Sequence, residues 1–151
     1  MIDIRPLAAE EIHAVGATLP LHRLGGTGDS TYLVAWDGEV AVGHAHVAWT
    51  DTELGFPELQ DFFVLPDRRN AGIGTRLTLA AERLVAERGH DRCSIGVSIS
   101  NDGARRLYER LGYRLADRSP KRVVGTIEIR AEPVDVDDTI VFLTKPLAAQ
   151  D

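Results

Sequence analysis

The sequence predicts a mixed α/β (α+β) domain, a sheet with helices packed on its faces. Three observations predict it. Runs of β-branched and aromatic residues recur along the chain. Two long apolar patterns at helical spacing are set between such runs. An Asp37-Gly38 pair separates two strand-like runs and marks a tight antiparallel hairpin.

The elements follow in order. Ile2 to Pro6 alternates apolar and polar, as a short strand does, and Leu7 to Leu19 is helix-prone with Leu7, Ile12 and Val15 toward one face. Gly25-Gly26-Thr27-Gly28-Asp29-Ser30 reads as a loop, because clustered glycine makes ordered structure costly. Thr31 to Trp36 and Val40 to Thr50 form the hairpin around Asp37-Gly38. Leu59 to Leu65 is nearly continuous in apolar residues, which suits a strand buried on both faces, and Pro66 ends it. The period then changes. Ile73, Leu77, Ala80, Ala81, Leu84 and Val85 fall at helical spacing until Gly89. Cys93, Ile95, Val97 and Ile99 alternate with small polar residues and glycine, as a strand does. Asn101 opens a second helix carrying Ala104, Leu107 and Leu111 on one face, with Gly112 as terminator. Strand returns after Tyr113, at Val123 to Ile129, and at Thr139 to Leu143, and Ala148 to Asp151 is a frayed end. The order is β-α-β-β-β-α-β-α-β-β.

A chain of 151 residues is expected to form one domain, 1–151, large enough to bury a real core. Its net charge of −6 argues against nucleic-acid and anionic-membrane partners, which select basic surfaces. One cysteine, Cys93, excludes an internal disulfide and any multi-cysteine metal site. With no signal-like start and no spanning apolar run, the expected location is the cytoplasm.

Chemistry enters at Val64-Leu65-Pro66-Asp67-Arg68-Arg69-Asn70-Ala71-Gly72-Ile73-Gly74-Thr75. A buried strand runs through a two-glycine loop directly into an amphipathic helix. The first helical turn leaves backbone N–H groups without intrahelical partners and carries the positive end of the helix dipole. Gly72 and Gly74 let an anion approach without meeting a Cβ, and Arg68 and Arg69 add two cations. The physics predicts a phosphate or pyrophosphate site, although the glycines also suit a plain tight turn. A Walker A loop fails because Thr75-Arg76 follows Gly74, and the dinucleotide fingerprint fails because Leu77 stands where its third glycine would be.

A second motif accompanies the first. Arg69-x-x-Gly72-x-Gly74, followed by Asn101-x-x-Ala104-x-x-Leu107-Tyr108-Glu109-Arg110-Leu111-Gly112-Tyr113, resembles the GNAT superfamily of acyl-CoA-dependent N-acetyltransferases. The resemblance covers Leu59 to Tyr113. It implies a mixed, splayed central sheet of about six to seven strands with helices on both faces, and acetyl-CoA as co-substrate lying where two parallel strands part. Those strands would be Leu59 to Leu65 and Arg92 to Ile99. The backbone of Phe63, Val64 and Leu65 would bind the pantetheine and polarise the thioester carbonyl. Amides of Asn70, Ala71, Gly72, Ile73, Gly74 and Thr75, with Arg69, would hold the pyrophosphate. Asn101 matches the family asparagine that bonds the pantetheine, and would also cap its helix.

Tyr108 matches the family tyrosine that protonates the departing thiolate, and it falls at the edge of the buried face defined by Leu107 and Leu111. An amine must lose a proton before attack, so a base is expected. Glu58, counted back from Arg69, matches the glutamate of the histone-acetylating branch. Asp61 or a water is the alternative base. Three residues apart on a strand, Glu58 and Asp61 are expected on opposite faces, with only one looking into the cleft.

Other signals carry less. His44 and His46 share a strand face, but no third ligand lies nearby, so no metal is expected, and Gly43 suggests a bulge. Cys93 reads as a buried small hydrophobe. Glu128, Glu132, Asp135, Asp137 and Asp138 form an acidic segment, a solvated loop or edge strand, or an attractor for a cationic amine. The leading expectation is an acetyltransferase acting by direct attack in a ternary complex on a small-molecule or peptide primary amine. The competing ones are a non-catalytic acyl-CoA-binding regulatory domain and a nucleotide-binding module. The resemblance implies that acceptor choice rests in Leu7 to Ser30 and Arg114 to Asp138, and an edge strand offers a route to a homodimer.

Overall fold

The computed structural model describes residues 1–21, 29–129 and 132–148. In chain order they form β1 (Ile2–Pro6), α1 (Ile12–Gly16), β2 (Ser30–Asp37), β3 (Val40–Ala48), β4 (Glu58–Val64), α2 (Ile73–Glu87), β5 (Arg92–Ser98), α3 (Asp102–Arg110), β6 (Arg114–Leu115), β7 (Lys121–Ile129) and β8 (Glu132–Pro146). The sheet runs β1-β2-β3-β4-β5-β8-β6, and β7 pairs with β8. Every pairing is antiparallel except β4 with β5.

The alternation of β2 sorts its residues between two layers. Leu33 and Ala35 join Val42, Val47 and Leu59 beneath α2, whose Ile73, Leu77, Ala81 and Val85 recur every four residues on the buried side. Val34 and Trp36 face the other way, against Val15 and Leu19 of the N-terminal segment. Helices therefore lie on both faces. The hairpin lies where it was expected, but its two-residue turn is Gly38-Glu39 rather than Asp37-Gly38: Asp37 is the last residue of β2, paired with Val40, and Gly38 takes φ +61°.

Two expectations need correction. Leu7 to Leu19 is not one helix: a 3-10 turn at Ala9–Glu11 leads into the five-residue α1, and Ile12 is exposed. Gly16 ends it, too early for Leu7, Ile12 and Val15 to form one stripe. The sheet has eight strands rather than six or seven, because the two-residue β6 stands as a strand of its own, and β8 begins at Glu132 instead of Thr139. Among the described residues its first half pairs only with β7, through a register from Lys121↔Ile140 to Ile129↔Glu132, so the two strands project as a ribbon. The acidic segment is thus strand, with Asp137 paired to Arg122 and Asp135 accepting from Thr126. The glycine loop expected at 25–28 and the end at 149–151 lie outside the described residues.

Candidate active site

The parallel pair β4–β5 holds together for only two residue pairs, Glu58↔Ser94 and Leu59↔Ile95, and then parts. The opening is a cleft of about 230 Å³ walled by Leu59 to Phe62 on one side, Ile95 to Ser98 on the other, and Asn101, Ala104 and Tyr108 across the end. A groove of about 740 Å³ runs from it, sharing Phe62, Ala104 and Tyr108, to the loop before α2.

That loop has the backbone geometry that an anion site needs. Gly72 is the α2 N-cap in the left-handed region, φ +80°, where a side chain is strained. A Cβ at Gly72 or Gly74 would meet nothing within 4 Å, so the space above this backbone is open to a ligand. The first intrahelical bond there is Arg76 N–H to Gly72 C=O, which leaves the N–H groups of Ile73, Gly74 and Thr75 for that ligand. No acidic side chain stands in this first turn. Arg69 lines the groove, with Nε donating to the Val64 carbonyl at 2.9 Å and its guanidinium over the Phe63 ring. Arg68 also lines it and is ion-paired with Asp37, whose carboxyl that guanidinium holds below the usual range. These residues fit a pyrophosphate.

Of the expected groove residues, Phe63, Val64, Arg69, Asn70, Gly72, Ile73, Gly74, Thr75 and Tyr108 line it, and Asn101 lines the cleft. Leu65 and Ala71 do not reach either wall. The Leu65 N–H is already donated to the Val42 carbonyl of β3. Antiparallel alternation then turns the Val64 amide away from β3 and toward the groove, so within Phe63 to Leu65 it is Val64 whose N–H is available.

Asn101 caps α3, its Oδ1 accepting the Ala104 N–H at 3.1 Å. One turn further, Tyr108 is 8% exposed, between the rings of Phe62 and Tyr113 at 5.9 Å each. Desolvation alone pushes its phenol up to about 12, so the hydroxyl stays protonated, and able to donate, at neutral pH.

The other side of β4 carries the carboxylates. The alternation expected of Glu58 and Asp61 is broken. β3 residues His44 and His46 pair with Phe63 and Gln60, so β4 spends three steps where β3 takes two. Asp61 sits in this bulge at φ +49°. The extra residue brings it to the face of Glu58 and Gln60, where the Tyr32 hydroxyl donates to Asp61 Oδ2 at 2.7 Å. Glu58 is 7% exposed, and its Oε2 accepts from Gln60 Nε2. Burial is the main cause raising its carboxyl above the ordinary range, with the Gln60 bond opposing it. Gln60 Oε1 lies 3.2 Å from His46 Nδ1. His46 and His44 pack on Tyr32, and His44 stacks on Phe63. Gln60, Asp61 and Phe62 line the cleft; Glu58 stands next to them, where β4 still pairs with β5. Sequence reading missed Gln60, Phe62 and Tyr32. A bulge shifts residue parity, and only the partner strand's register reveals it.

Behind α3 lies a buried network. Tyr113 Oη donates to Glu82 at 3.0 Å and lies 3.3 Å from Cys93 Sγ, while Lys145 pairs with the other Glu82 oxygen at 2.8 Å. Cys93 is fully buried, and desolvation pushes its thiol up to about 11.

Comparison with known proteins agrees with this geometry. The acetyltransferase (GNAT) family model matches residues 3–113. An N-acetyltransferase of Escherichia coli, YjgM, is 32% identical over 90 residues, which is 60% of this chain and 54% of that protein's own length. Among solved structures, the ribosomal-protein-S18-alanine N-acetyltransferase of Escherichia coli superposes with TM-score 0.72 at 16% identity, over 100% of this chain and 97% of the other. A GNAT family acetyltransferase of Elizabethkingia anophelis with acetyl-CoA bound gives 0.65 at 18% identity, over 97% and 98%. The chain belongs to the GNAT acetyltransferase family.

Proposed function

We propose that this chain, as one domain over residues 1–151, is a cytoplasmic N-acetyltransferase that moves the acetyl group of acetyl-CoA to a primary amine. One observation carries the reading: the groove that starts at the loop before α2 ends in a cleft where Tyr108 and the carboxylate-bearing stretch of β4 meet from opposite sides. The α2 amides and Arg69 hold the pyrophosphate, and Val64 and Asn101 hold the pantetheine arm. The Val64 N–H polarises the thioester carbonyl. Glu58, its basicity raised by burial, takes a proton from the incoming ammonium, directly or through a water. The amine nitrogen then bonds to the carbonyl carbon, the carbon–sulfur bond breaks as Tyr108 gives its proton to the leaving sulfur, and the second proton that the nitrogen sheds on becoming an amide returns to the Tyr108 phenolate through water. The buried, protonated Cys93 suits a direct transfer without an acyl-cysteine.

The test is release of free CoA thiol from acetyl-CoA with a panel of primary amines. Amine-dependent release that falls in Tyr108→Phe and Glu58→Gln supports the reading. Tight acetyl-CoA binding with no release for any amine would leave a non-catalytic acyl-CoA-binding domain instead.

A further inference from the structure

We propose that the buried network of Glu82, Cys93 and Lys145 positions Tyr108, and that Tyr113 is the side chain through which it acts. The inference rests on the acetyl-transfer reading, in which Tyr108 is the acid, and gives a part in it to four residues that line neither groove nor cleft.

The first support is how Tyr108 is held. Among the described residues its hydroxyl has no hydrogen-bond partner. An acid that has to meet the leaving sulfur is then aimed by its ring alone, and that ring lies between two others. Phe62, on one side, is half-buried and lines the cleft. Tyr113, on the other, is fully buried and stands edge-on to Tyr108, with the ring planes at 70°. It grips the backbone as well, because the Tyr113 N–H donates to the Tyr108 carbonyl at 3.0 Å. Tyr113 is the fixed wall.

The second support is how that wall is anchored. The single phenolic proton of Tyr113 goes to Glu82, so the Cys93 thiol is the donor to the same oxygen. Lys145 takes the other Glu82 oxygen, with its ammonium 5.6 Å from the centre of the Tyr113 ring. Glu82 belongs to α2, Cys93 to β5 and Lys145 to β8, so three elements converge on one side chain. Lys145 also lies under the turn that joins the two tyrosines. A Cβ at Gly112 would stand 3.3 Å from its Cε.

The third support is energetic. A buried ion pair loses hydration that an apolar pair of the same volume would not, so packing alone does not account for Glu82 and Lys145. A satisfied polar network instead fixes one arrangement of its members. Catalysis is sensitive to such placement, since a small displacement of a reacting group lowers the rate without weakening binding elsewhere.

The experiment uses the full chain, with thiol release from acetyl-CoA and the amine panel measured well below Tm. Tyr113→Phe keeps the ring and removes its anchor. It should lower kcat about threefold to tenfold, the reach of one hydrogen bond, with both KM values unchanged. Glu82→Gln keeps the shape, removes the charge and should act in the same direction, which covers the case of a Tyr113→Phe chain that folds poorly. The deciding comparison is made in Tyr108→Phe. With the acid gone, adding Tyr113→Phe should lower kcat no further, whereas a merely structural loss slows both backgrounds alike. A second readout needs no turnover. The chain has three tyrosines, so carbon-13 tyrosine labelling gives ring signals that single Tyr→Phe variants assign. Glu82 forms no bond with Tyr108, so a shift or broadening of the Tyr108 signals in Glu82→Gln passes through Tyr113. Unmoved Tyr108 signals in that variant would overturn the proposal, as would an equal loss of kcat with and without Tyr108. Thiol release from no amine, with the Tyr108 signals still moved by Glu82→Gln, would sink the transfer reading alone and leave the positioning of Tyr108 standing.

Discussion

A carboxylate buried beside Gln60 must shed its hydration to ionise, and at Glu58 this sets chemistry against folding. Only the ionised form accepts a proton, so with Glu58 as base kcat should fall as pH drops through its raised pKa, above 4.5. Glu58→Gln should lower kcat by about a hundredfold or more and abolish that acidic limb in the pH–rate profile. Stability runs the opposite way. A group whose folded pKa is raised contributes its stability below the unfolded value and loses it as pH rises through the folded one. At pH 7 to 8 the ionised Glu58 is therefore a burden on the fold, and Glu58→Gln should raise Tm by about 2–4 °C for each kcal/mol recovered. An inactive variant that is also less stable would contradict the assignment. Tyr108→Phe removes only a hydroxyl, so it should cost about a hundredfold in kcat with Tm nearly unchanged.

The strand-to-helix turn before α2 and the bulge of β4 are the two elements that shape the site. They differ in how readily a sequence betrays them. Gly72 at φ +80° is legible because glycine is the residue that takes that conformation freely at a helix start, and Asn101 is legible as a cap. Gly72→Ala should cost about 1–2 kcal/mol of strain, hence about 2–8 °C in Tm, and weaken CoA affinity by distorting the cradle. Isothermal titration would check the affinity and calorimetric scanning the Tm; an alanine variant with wild-type CoA affinity would reduce the loop to a turn. The bulge is not legible from β4 alone. Its extra residue exists only relative to His44 and His46, so strict alternation misplaces Asp61. The start of β8 is hidden for a similar reason. Asp135, Asp137 and Asp138 look like loop, yet their backbone is paired by β7 and two of their carboxylates by Arg122 and Thr126. The core stripe of α2, by contrast, is legible at Ile73, Leu77, Ala81 and Val85, because burial repeats with the helix period, while buried Thr78 and Glu82 are hidden by their polarity.

For the whole molecule, cofactor binding and stability are one measurement. The groove and cleft exist only in the folded chain, so acetyl-CoA at about 100 times its Kd should add about 2.7 kcal/mol and raise Tm by about 5–11 °C. CoA should act similarly and NAD should not; a shift with NAD alone would restore the nucleotide-binding alternative. The buried network behind α3 offers a second readout of the same equilibrium. With a single thiol in 151 residues, fully buried against Tyr113, the chain carries its own unfolding clock. An alkylating reagent can reach Cys93 only when the sheet opens, so the labelling rate counts openings rather than collisions. Acetyl-CoA should slow that labelling about a hundredfold at 100 times Kd when opening is global, while a free-thiol assay of turnover records little from the protein itself. One sulfur atom, silent in the native state, would thereby time the life of the fold without any introduced probe.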